Sequence, residues 1–356
     1  MEPNSSGNTE KQNNLGEAGQ DSHSSKRSLV AISILAIIFA GVAVFWFFSQ
    51  EEKIESFVDL KGKVYLTLAL ANDNAADLYV LDIESRNISK FLDDGFVKYT
   101  SEISPNGDKI AYTAAPIDRE SKFAFPHTEF LQVYVKNFGN GIVGKLTDSR
   151  TNAKRLPTWS PDGTQIAFTA QYPDASEDDF SIPNEWGVGV VDLSGNIERI
   201  DSGTSPFWSP DGNKLLFLKN DGLYTYNFND KESIKVWSVV GGEASTNMKF
   251  DVSKDGLLLA LSVANNRGLE LYEIISWEPF QLTLKQKIDI GNNMAFWPVF
   301  SPDNRYLIFQ EVSVSEENGK LINPVLIIYD IKTSERMKFV SIDEYNFDMA
   351  FITDWR

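Results

Sequence analysis

Short runs of β-branched, aromatic and other apolar residues alternate with clusters of Ser, Pro, Asp, Asn and Gly from about residue 57 to residue 356. Runs of this kind between turn residues are typical of β-strands, and this part of the chain carries no convincing helical period. Residues 29–48 differ, because they form one long apolar run without a charge. The pattern therefore predicts a large β domain after one hydrophobic segment.

A turn motif recurs along the β part of the chain. Its clearest copy is Trp159-Ser160-Pro161-Asp162-Gly163, followed by the apolar Ile166-Ala167-Phe168. Proline fixes φ at the first turn position, Asp bonds its own backbone, and Gly accepts the tight exit, so the recurrent Asp is expected to hold a turn rather than to catalyse. The other copies, the first and last of them faint, are Val58–Gly62, Ile103–Gly107, Trp208–Gly212, Val252–Gly256, Phe300–Asn304 and Phe351–Asp354.

These copies divide the chain into six periods. A period of roughly 40 to 50 residues with several short strands predicts a β-propeller, here an all-β domain with six blades around a central channel. The first unit lacks an obvious inner strand, and two segments compete to supply it. We favour residues 346–355 over residues 54–60, because pairing of the end of the chain with the first blade closes the ring and removes exposed strand edges.

The hydrophobic segment is long enough to cross a membrane. Its 20 residues (29–48) would span the hydrocarbon layer as a helix of about 30 Å. A cleaved signal peptide is the alternative, but such a peptide has a shorter apolar core that ends in small residues. This segment ends in Phe45-Trp46-Phe47-Phe48, which is typical of the aromatic belt at a membrane interface. We therefore predict an uncleaved signal anchor.

The flanking charges predict the orientation of this anchor. Lys26 and Arg27 precede it, whereas Glu51 and Glu52 follow it. By the positive-inside rule the N-terminus is cytoplasmic and the repeats lie outside, in the periplasm or the extracellular space. The predicted organisation is a disordered polar tail (1–28), a single-pass transmembrane anchor (29–48), a linker (49–57) and a six-bladed propeller (58–356).

Composition excludes several classes of chemistry. The formal net charge of −17 would repel a phosphate backbone, so nucleic acid is not an expected partner. Cysteine is absent and histidine occurs only as His23 and His127, so disulfides, thiol catalysis, a histidine-based triad and a zinc site are not expected. Nucleophile-elbow and phosphate-binding glycine motifs are absent as well. No cofactor is implied, and calcium is the one ion whose binding the composition does not exclude.

The turn motif, the strand Ile166-Ala167-Phe168 and the later strand Leu78-Tyr79-Val80-Leu81-Asp82 resemble the repeat of TolB-like β-propellers. The resemblance extends from about residue 57 to the end of the sequence. It implies a six-bladed disc that engages protein or peptide partners at the mouth of its channel. Where TolB has an α/β domain before the propeller, this chain has the predicted anchor.

Basic and aromatic residues stand near the start of the inner strands, at the end opposite the tight turns. In an acidic chain this local reversal of charge predicts a mouth that receives an anionic segment of a protein or peptide partner, and aromatic and Arg residues often anchor interfaces. The alternative is that each cation pairs with a nearby acid. The predicted mouth residues are Lys98, Tyr99, Lys154, Arg155, Asn247, Phe296 and Asn346, with Lys249 and Trp297 one residue further in.

Carboxylates also fall on the inner strands. Glu102 and Asp251 each lie three residues before the proline position of their turn motif, and they fall on opposite sides of the ring. In the last unit Ala350 has this position, and Asp348 lies two residues before it. Carboxylates that converge on a channel are suited to bind a cation such as calcium, or to act as acid and base on a glycoside. The alternative function is therefore a polysaccharide-binding or glycoside-active propeller, unless these groups are solvated or bonded to neighbouring backbone.

Overall fold

The computed structural model describes residues 57, 60–70, 73–116, 131–148, 153–172, 185–238, 249–263, 267–315, 317, 319–345, 347 and 349–356. The predicted tail (1–28), anchor (29–48) and nearly all of the linker (49–57) lie outside these residues, as do Asn247, Asn346 and Asp348. Within the described ranges no helix has the length and apolar character needed to cross a membrane. Leu60–Arg356 form one compact unit.

The described residues of this unit form 24 strands, arranged as six antiparallel sheets of four. Each sheet is one blade, so the predicted all-β, six-bladed propeller is confirmed. Blade 1 consists of β24 (Met349–Trp355), β1 (Lys63–Leu70), β2 (Asp73–Asp82) and β3 (Ile88–Lys90). Blade 2 consists of β4 (Phe96–Ile103), β5 (Lys109–Pro116), β6 (Gln132–Asn137) and β7 (Val143–Lys145). Blade 3 consists of β8 (Lys154–Trp159), β9 (Gln165–Tyr172), β10 (Glu185–Asp192) and β11 (Ile197–Ser202). 

Blades 4 to 6, like blades 2 and 3, have their strands in chain order from the channel outward, whereas in blade 1 the inner strand is β24. Blade 4 consists of β12 (Thr204–Trp208), β13 (Lys214–Lys219), β14 (Gly222–Asn227) and β15 (Glu232–Ser238). Blade 5 consists of β16 (Phe250–Val252), β17 (Leu258–Val263), β18 (Gly268–Trp277) and β19 (Phe280–Ile288). Blade 6 consists of β20 (Met294–Phe300), β21 (Tyr306–Val314), β22 (Leu321–Asp330) and β23 (Glu335–Ser341). A short 3-10 helix, Asp343–Tyr345, precedes β24.

The last strand supplies the inner strand of the first blade. β24 pairs antiparallel with β1, which in turn pairs with β2. Beyond β24, Lys63 and Arg356 exchange two main-chain hydrogen bonds of 2.6 and 2.9 Å, and the Trp355 indole donates to the carbonyl of Lys61 at 3.0 Å. The favoured prediction for ring closure is therefore confirmed.

The second strand of each blade carries the core. Ile166, Ala167 and Phe168 of β9 are fully buried, as are Leu215, Leu216 and Phe217 of β13. These strands are apolar on both faces because each sheet is covered by a neighbouring blade on either side. That geometry explains why the sequence shows short apolar runs here instead of strict alternation.

The tight turns are held by a repeated side-chain pattern. Ser160 Oγ donates to Asp162 at 2.6 Å and accepts from the amide of Gln165 at 2.9 Å. Asp162 in turn accepts from the amide of Thr164 at 3.1 Å. The same serine-to-aspartate bond recurs in the turns of Ser209, Ser253 and Ser301. The recurrent aspartates therefore hold turns, as the repeat predicted.

Candidate functional site

The six inner strands line the central channel, and each packs against the next. Two cavities follow one another along it. The one at the mouth has a volume of about 100 Å³, and the one between the tight turns has a volume of about 300 Å³. They meet at one level of the inner strands, which we call the waist. Strand register assigns to the waist Asp354, Glu102, Thr158, Phe207, Asp251 and Val299, in the order of blades 1 to 6.

The waist corrects the alignment of the last repeat. Counting from the faint turn motif placed Ala350 beside Glu102 and Asp251, but Asp354 is the residue that pairs with Tyr65 of β1. Tyr65 corresponds to Ala111 of β5, which pairs with Glu102. Asp354 therefore joins the two predicted carboxylates at the same level of the channel.

All three waist carboxylates bind backbone of the next blade. Asp354 accepts from the amide of Ile103 at 3.2 Å, and Glu102 accepts from the amide of Trp159 at 2.8 Å. Asp251 likewise accepts from the amide of Phe300 at 2.9 Å. These contacts assign to the carboxylates a structural task, the alignment of adjacent inner strands.

Burial changes the protonation of two of these groups. It raises the pKa of Glu102 to about 8, with a further contribution from the charge of Asp354. It also raises the pKa of Asp251 to about 7, against the opposing effect of the hydrogen bond from Phe300. Both side chains keep some exposed surface, but that surface faces the narrow channel and is enclosed by protein, so solvation of the charged form stays poor.

The cations on the turn side are engaged as well. Lys254, which replaces the turn proline in blade 5, donates from Nζ to the carbonyl of Trp355 at 2.7 Å. Arg356 donates to Asp354 at 2.8 Å and to the carbonyl of Ile103 at 2.8 Å. In the described part of the chain no cluster of three or more carboxylate or histidine groups is placed to hold a metal ion. The contacts at this end join blades 1, 2 and 5.

Three of the predicted mouth residues are not accessible at the mouth. Lys98 is fully buried and forms ion pairs with Asp77 at 3.0 Å and Asp94 at 2.5 Å. Lys154 and Phe296 are buried too, with exposed fractions of 3% and 9%. Burial lowers the pKa of Lys154 to about 8. Lys98 thus follows the alternative that a cation pairs with nearby acids, and none of the three offers a free surface to a partner.

Tyr99, Arg155 and Trp297 do come together, with Lys249. The Arg155 guanidinium lies 5.0 Å from the ring of Tyr99 and 4.8 Å from that of Trp186. Tyr99 and Trp297 both contact Phe351, with ring centroids 4.9 and 5.1 Å apart. Lys249 Nζ lies 5.0 Å from the Trp297 ring and 3.0 Å from Ser205 Oγ. We call this set the mouth band: Tyr99, Arg155, Trp186, Ser205, Lys249, Trp297 and Phe351.

Three β-bulges shape the inner strands beside this band. Leu156, Ser205 and Trp297 adopt φ values of 55°, 55° and 56°, and each precedes a proline. The ladder shifts register at these places in β8, β12 and β20. All three bulged residues line the mouth cavity. Because a positive φ is costly for a side chain as large as tryptophan, its occurrence at a cavity is typical of a functional site.

The mouth band is positive and has no internal counter-charge. Burial, followed by the nearby charge of Arg155, lowers the pKa of Lys249 to about 7. Burial also lowers the pKa of Arg155, and Nε of Arg155 is buried without a hydrogen-bond partner within the described ranges. No carboxylate of the described part contributes to either pKa shift. The site is therefore suited to an anion.

Sequence reasoning missed Ser205, Phe351 and Trp186 as members of the band, and Asp354 at the waist. One signal was available, because a proline inside an inner strand marks a bulge and thus a redirected side chain before it. That signal would have selected Ser205 and Trp297. Trp186 comes from β10, and only the folded blade brings it to Arg155.

No protein-family model matches the chain. Among curated proteins, the uncharacterized peptidase YuxL of Bacillus subtilis is 25% identical over 210 residues, which are 58% of this chain but only 28% of the relative. The chain thus spans less than a third of that peptidase, whose further parts it does not match.

Two solved structures share the architecture. TolB from Acinetobacter baumannii has a TM-score of 0.56 at 18% identity, with 83% of this chain and 66% of that chain covered. Hydrazine synthase from Kuenenia stuttgartiensis has a TM-score of 0.57 at 13% identity, with 83% of this chain and 47% of that chain covered. At these identities the likeness shows the fold alone, so the protein is a six-bladed β-propeller with TolB among its structural neighbours.

Proposed function

We propose that this protein is a membrane-anchored propeller outside the cytoplasm that binds a protein or peptide partner at the mouth band, through an anionic group of that partner. The observation that carries the proposal is the pair Arg155 and Lys249, which lie against aromatic rings and whose pKa values no carboxylate of the described residues raises. A partly desolvated cation gains more from an incoming anion than a solvated one does.

The surroundings of this pair favour a segment of polypeptide over a free ion. Tyr99 and Trp297, each partly exposed and joined through the buried Phe351, present aromatic surface beside the two cations. Such surfaces supply apolar contact area at low entropic cost, and aromatic and Arg residues dominate interface energetics. The band stands on inner strands of a closed ring, so its geometry is set before the partner arrives, which reduces the ordering cost of binding.

The location and the kind of partner rest on the sequence. Residues 29–48 and their flanking charges support an anchor with the propeller outside. The resemblance to TolB-like propellers supports a protein or peptide partner.

A photo-crosslinking experiment tests the proposal. A crosslinking amino acid replaces Trp297 at the mouth, and in a matched protein it replaces Trp277, whose indole bonds to the carbonyl of Gly256 in a tight turn at the other end of the channel. We expect capture of a partner protein from native membranes at position 297 only, and loss of that capture with Arg155→Glu. Equal capture from both positions, or capture that survives Arg155→Glu in a folded protein, would contradict the proposal.

A polysaccharide-active propeller is the second candidate. A pKa of about 8 keeps Glu102 protonated at neutral pH, as a general acid requires. The hydrogen bond from Trp159 to the same carboxyl favours the structural explanation. Hydrolysis of envelope or plant polysaccharides that disappears in Glu102→Gln, while capture at position 297 persists, would support the second candidate.

A further inference from the structure

The mouth cavity is lined by ionisable groups of both signs. Lys249 lines it, and so do Glu102 and Asp251 at the waist, and all three residues are partly exposed. Lys249 directly precedes β16, and its carbonyl accepts from the amide of Ser262 at 2.9 Å, which continues the ladder of β16 without a bulge. The side chains of Lys249 and Asp251 therefore leave the strand on the same face, with Cα atoms about 6.6 Å apart.

These groups do not pair with one another in the part of the chain that the structure describes. The Lys249 amine donates to Ser205 Oγ at 3.0 Å and lies 5.0 Å from the Trp297 ring, and both contacts favour its protonated form. Asp251 accepts from the amide of Phe300 at 2.9 Å, and no carboxylate contributes to the pKa shift of Lys249. The cavity thus holds a cation and a carboxyl group apart.

Burial acts against the charged form at both ends of the cavity. It lowers the pKa of Lys249 to about 7, and it raises the pKa of Asp251 to about 7, because the charged form of each group is poorly solvated. A ligand charge of opposite sign at each end would replace the missing solvation. A carboxylate accepts about four hydrogen bonds, so the bond from Phe300 leaves Asp251 able to accept from a ligand.

We propose that the mouth cavity binds a small free amino acid, with its carboxylate on Lys249 and Ser205 and its ammonium on Asp251. A ligand with one charge would pair with only one end and leave the other unpaired, whereas a zwitterion pairs with both. We assign the ammonium to Asp251 rather than to Glu102, because Asp251 shares a strand face with Lys249.

The size of the cavity limits the side chain of this amino acid. A cavity of about 150 Å³ holds benzene, which has six heavy atoms. The mouth cavity has a volume of about 100 Å³, which suits glycine or alanine and leaves no room for a large side chain. The ligand class thus follows from two opposite charges held apart in a small cavity.

This inference goes beyond the proposed protein-binding function, although it uses the same mouth. A bound amino acid occupies Lys249 and would compete with an anionic group of a partner. Amino acid binding is measured on the purified chain without a partner, whereas crosslinking from position 297 is measured in native membranes. Either proposal can therefore fail while the other stands.

Calorimetric titration tests the inference. The full chain in detergent is titrated at neutral pH and constant ionic strength with L-alanine, and separately with acetate and methylammonium, each of which carries one of its two charges. We expect L-alanine to bind at one saturable site about tenfold or more tightly than either ion, since only the zwitterion pairs with both ends. L-tryptophan, the control for size, should not bind.

Two results of this titration would overturn the proposal. One is the absence of saturable binding of both glycine and L-alanine up to about 10 mM. The other is an affinity for acetate, methylammonium or L-tryptophan that equals the affinity for L-alanine. Both results are obtained on the wild-type protein, so no variant has to fold for them.

A pair of variants assigns the two ends of the ligand. Asp251→Asn keeps an acceptor oxygen for the Phe300 amide but carries no charge. The affinity for L-alanine should fall about tenfold or more in this variant, while that for acetate should not fall, because acetate does not use Asp251. Lys249→Gln should weaken the binding of L-alanine and acetate alike.

Asp343→Asn is the matched control, because it makes the same change at an exposed position of the 3-10 helix. Equal affinities of folded Asp251→Asn and Asp343→Asn for L-alanine would overturn the role of Asp251. An unchanged affinity in folded Lys249→Gln would overturn the role of Lys249.

Discussion

The amide of Ile103 donates a hydrogen bond of 3.2 Å to Oδ2 of Asp354, a residue 251 positions later in the chain. The same carboxylate accepts from Arg356 at 2.8 Å. One side chain thus ties the closing strand β24 to the inner strand of blade 2. Because ring closure depends on these contacts, Asp354 should be among the most sensitive positions of the waist.

We expect Asp354→Ala to lower the free energy of unfolding by about 2 to 4 kcal/mol, since it leaves the buried amide of Ile103 without an acceptor and Arg356 without its counter-charge. Urea unfolding measures the change. Asp343→Ala is the matched control, because Asp343 is exposed in the short 3-10 helix and should change stability by less than about 0.5 kcal/mol. Similar losses in both variants would contradict a role of Asp354 in closure.

Gly62 makes a second test of closure. Its φ is +102°, and a Cβ there would lie 2.3 Å from the main-chain oxygen of Arg356. We expect Gly62→Ala to destabilise the protein by about 2 kcal/mol or more, because the last ladder bonds between Lys63 and Arg356 cannot form without a backbone shift. Gly144→Ala, where a Cβ meets open space, should be nearly neutral. Thermal unfolding of the two variants distinguishes a specific effect on ring closure at Gly62 from a general destabilisation by Gly→Ala changes.

The turn tryptophans carry a further prediction. The indole of Trp208 donates to the carbonyl of Thr158 at 3.2 Å, and that of Trp159 donates to the carbonyl of Glu102 at 3.1 Å. Each bond therefore links one inner strand to the waist residue of the preceding blade. Trp208→Phe should lower the free energy of unfolding by about 1 to 2 kcal/mol, because it removes a hydrogen bond and leaves a small cavity. A loss equal to that of Trp237→Phe, a tryptophan on an outer strand, would argue against this link.

The fold was predictable because its signals are local. A Ser-Pro-Asp-Gly turn specifies its own hydrogen bonds, and its spacing sets the number of blades before any long-range contact is known. The closing repeat is the exception. It has no such turn, so counting selected Ala350, whereas pairing between Tyr65 and Asp354 decides the register.

The site was only partly predictable, because side chains alternate along a strand. Lys98 and Lys154 were selected with their neighbours Tyr99 and Arg155, but the two lysines are buried away from the mouth while the neighbours join the mouth band. Asp77, which pairs with Lys98, comes from another blade. Such pairings depend on packing between sheets, and a sequence pattern does not contain them.

The waist carboxylates should make stability depend on pH. The folded-state pKa values of Glu102 and Asp251, about 8 and about 7, lie above their ordinary values. Their contribution to the free energy of unfolding is therefore fully present below their unfolded-state pKa values, and it is lost as pH rises through about 7 and 8. Glu102→Gln keeps the acceptor for Trp159 but cannot ionise. Urea unfolding should show that the variant gains stability relative to wild type, on the order of 1 to 2 kcal/mol, between about pH 5.5 and about pH 9.

Glu84→Gln provides the control for that experiment, because it makes the same change of side chain at an exposed position. A parallel profile for wild type and Glu102→Gln would mean that Glu102 is ionised in the folded protein throughout this range.

Binding of an anionic partner should weaken as pH rises, since Lys249 loses its proton near pH 7 in the free protein. A bound anion stabilises the protonated amine, so the midpoint in the complex should lie above 7. We expect the yield of the crosslink from position 297 to fall, and the affinity to fall by roughly tenfold, from about pH 6 to about pH 9. Lys249→Arg keeps the positive charge at every pH in this range and should retain capture without the dependence. A yield that rises with pH, or the same slope in Lys249→Arg, would show that the charge on Lys249 does not hold the partner.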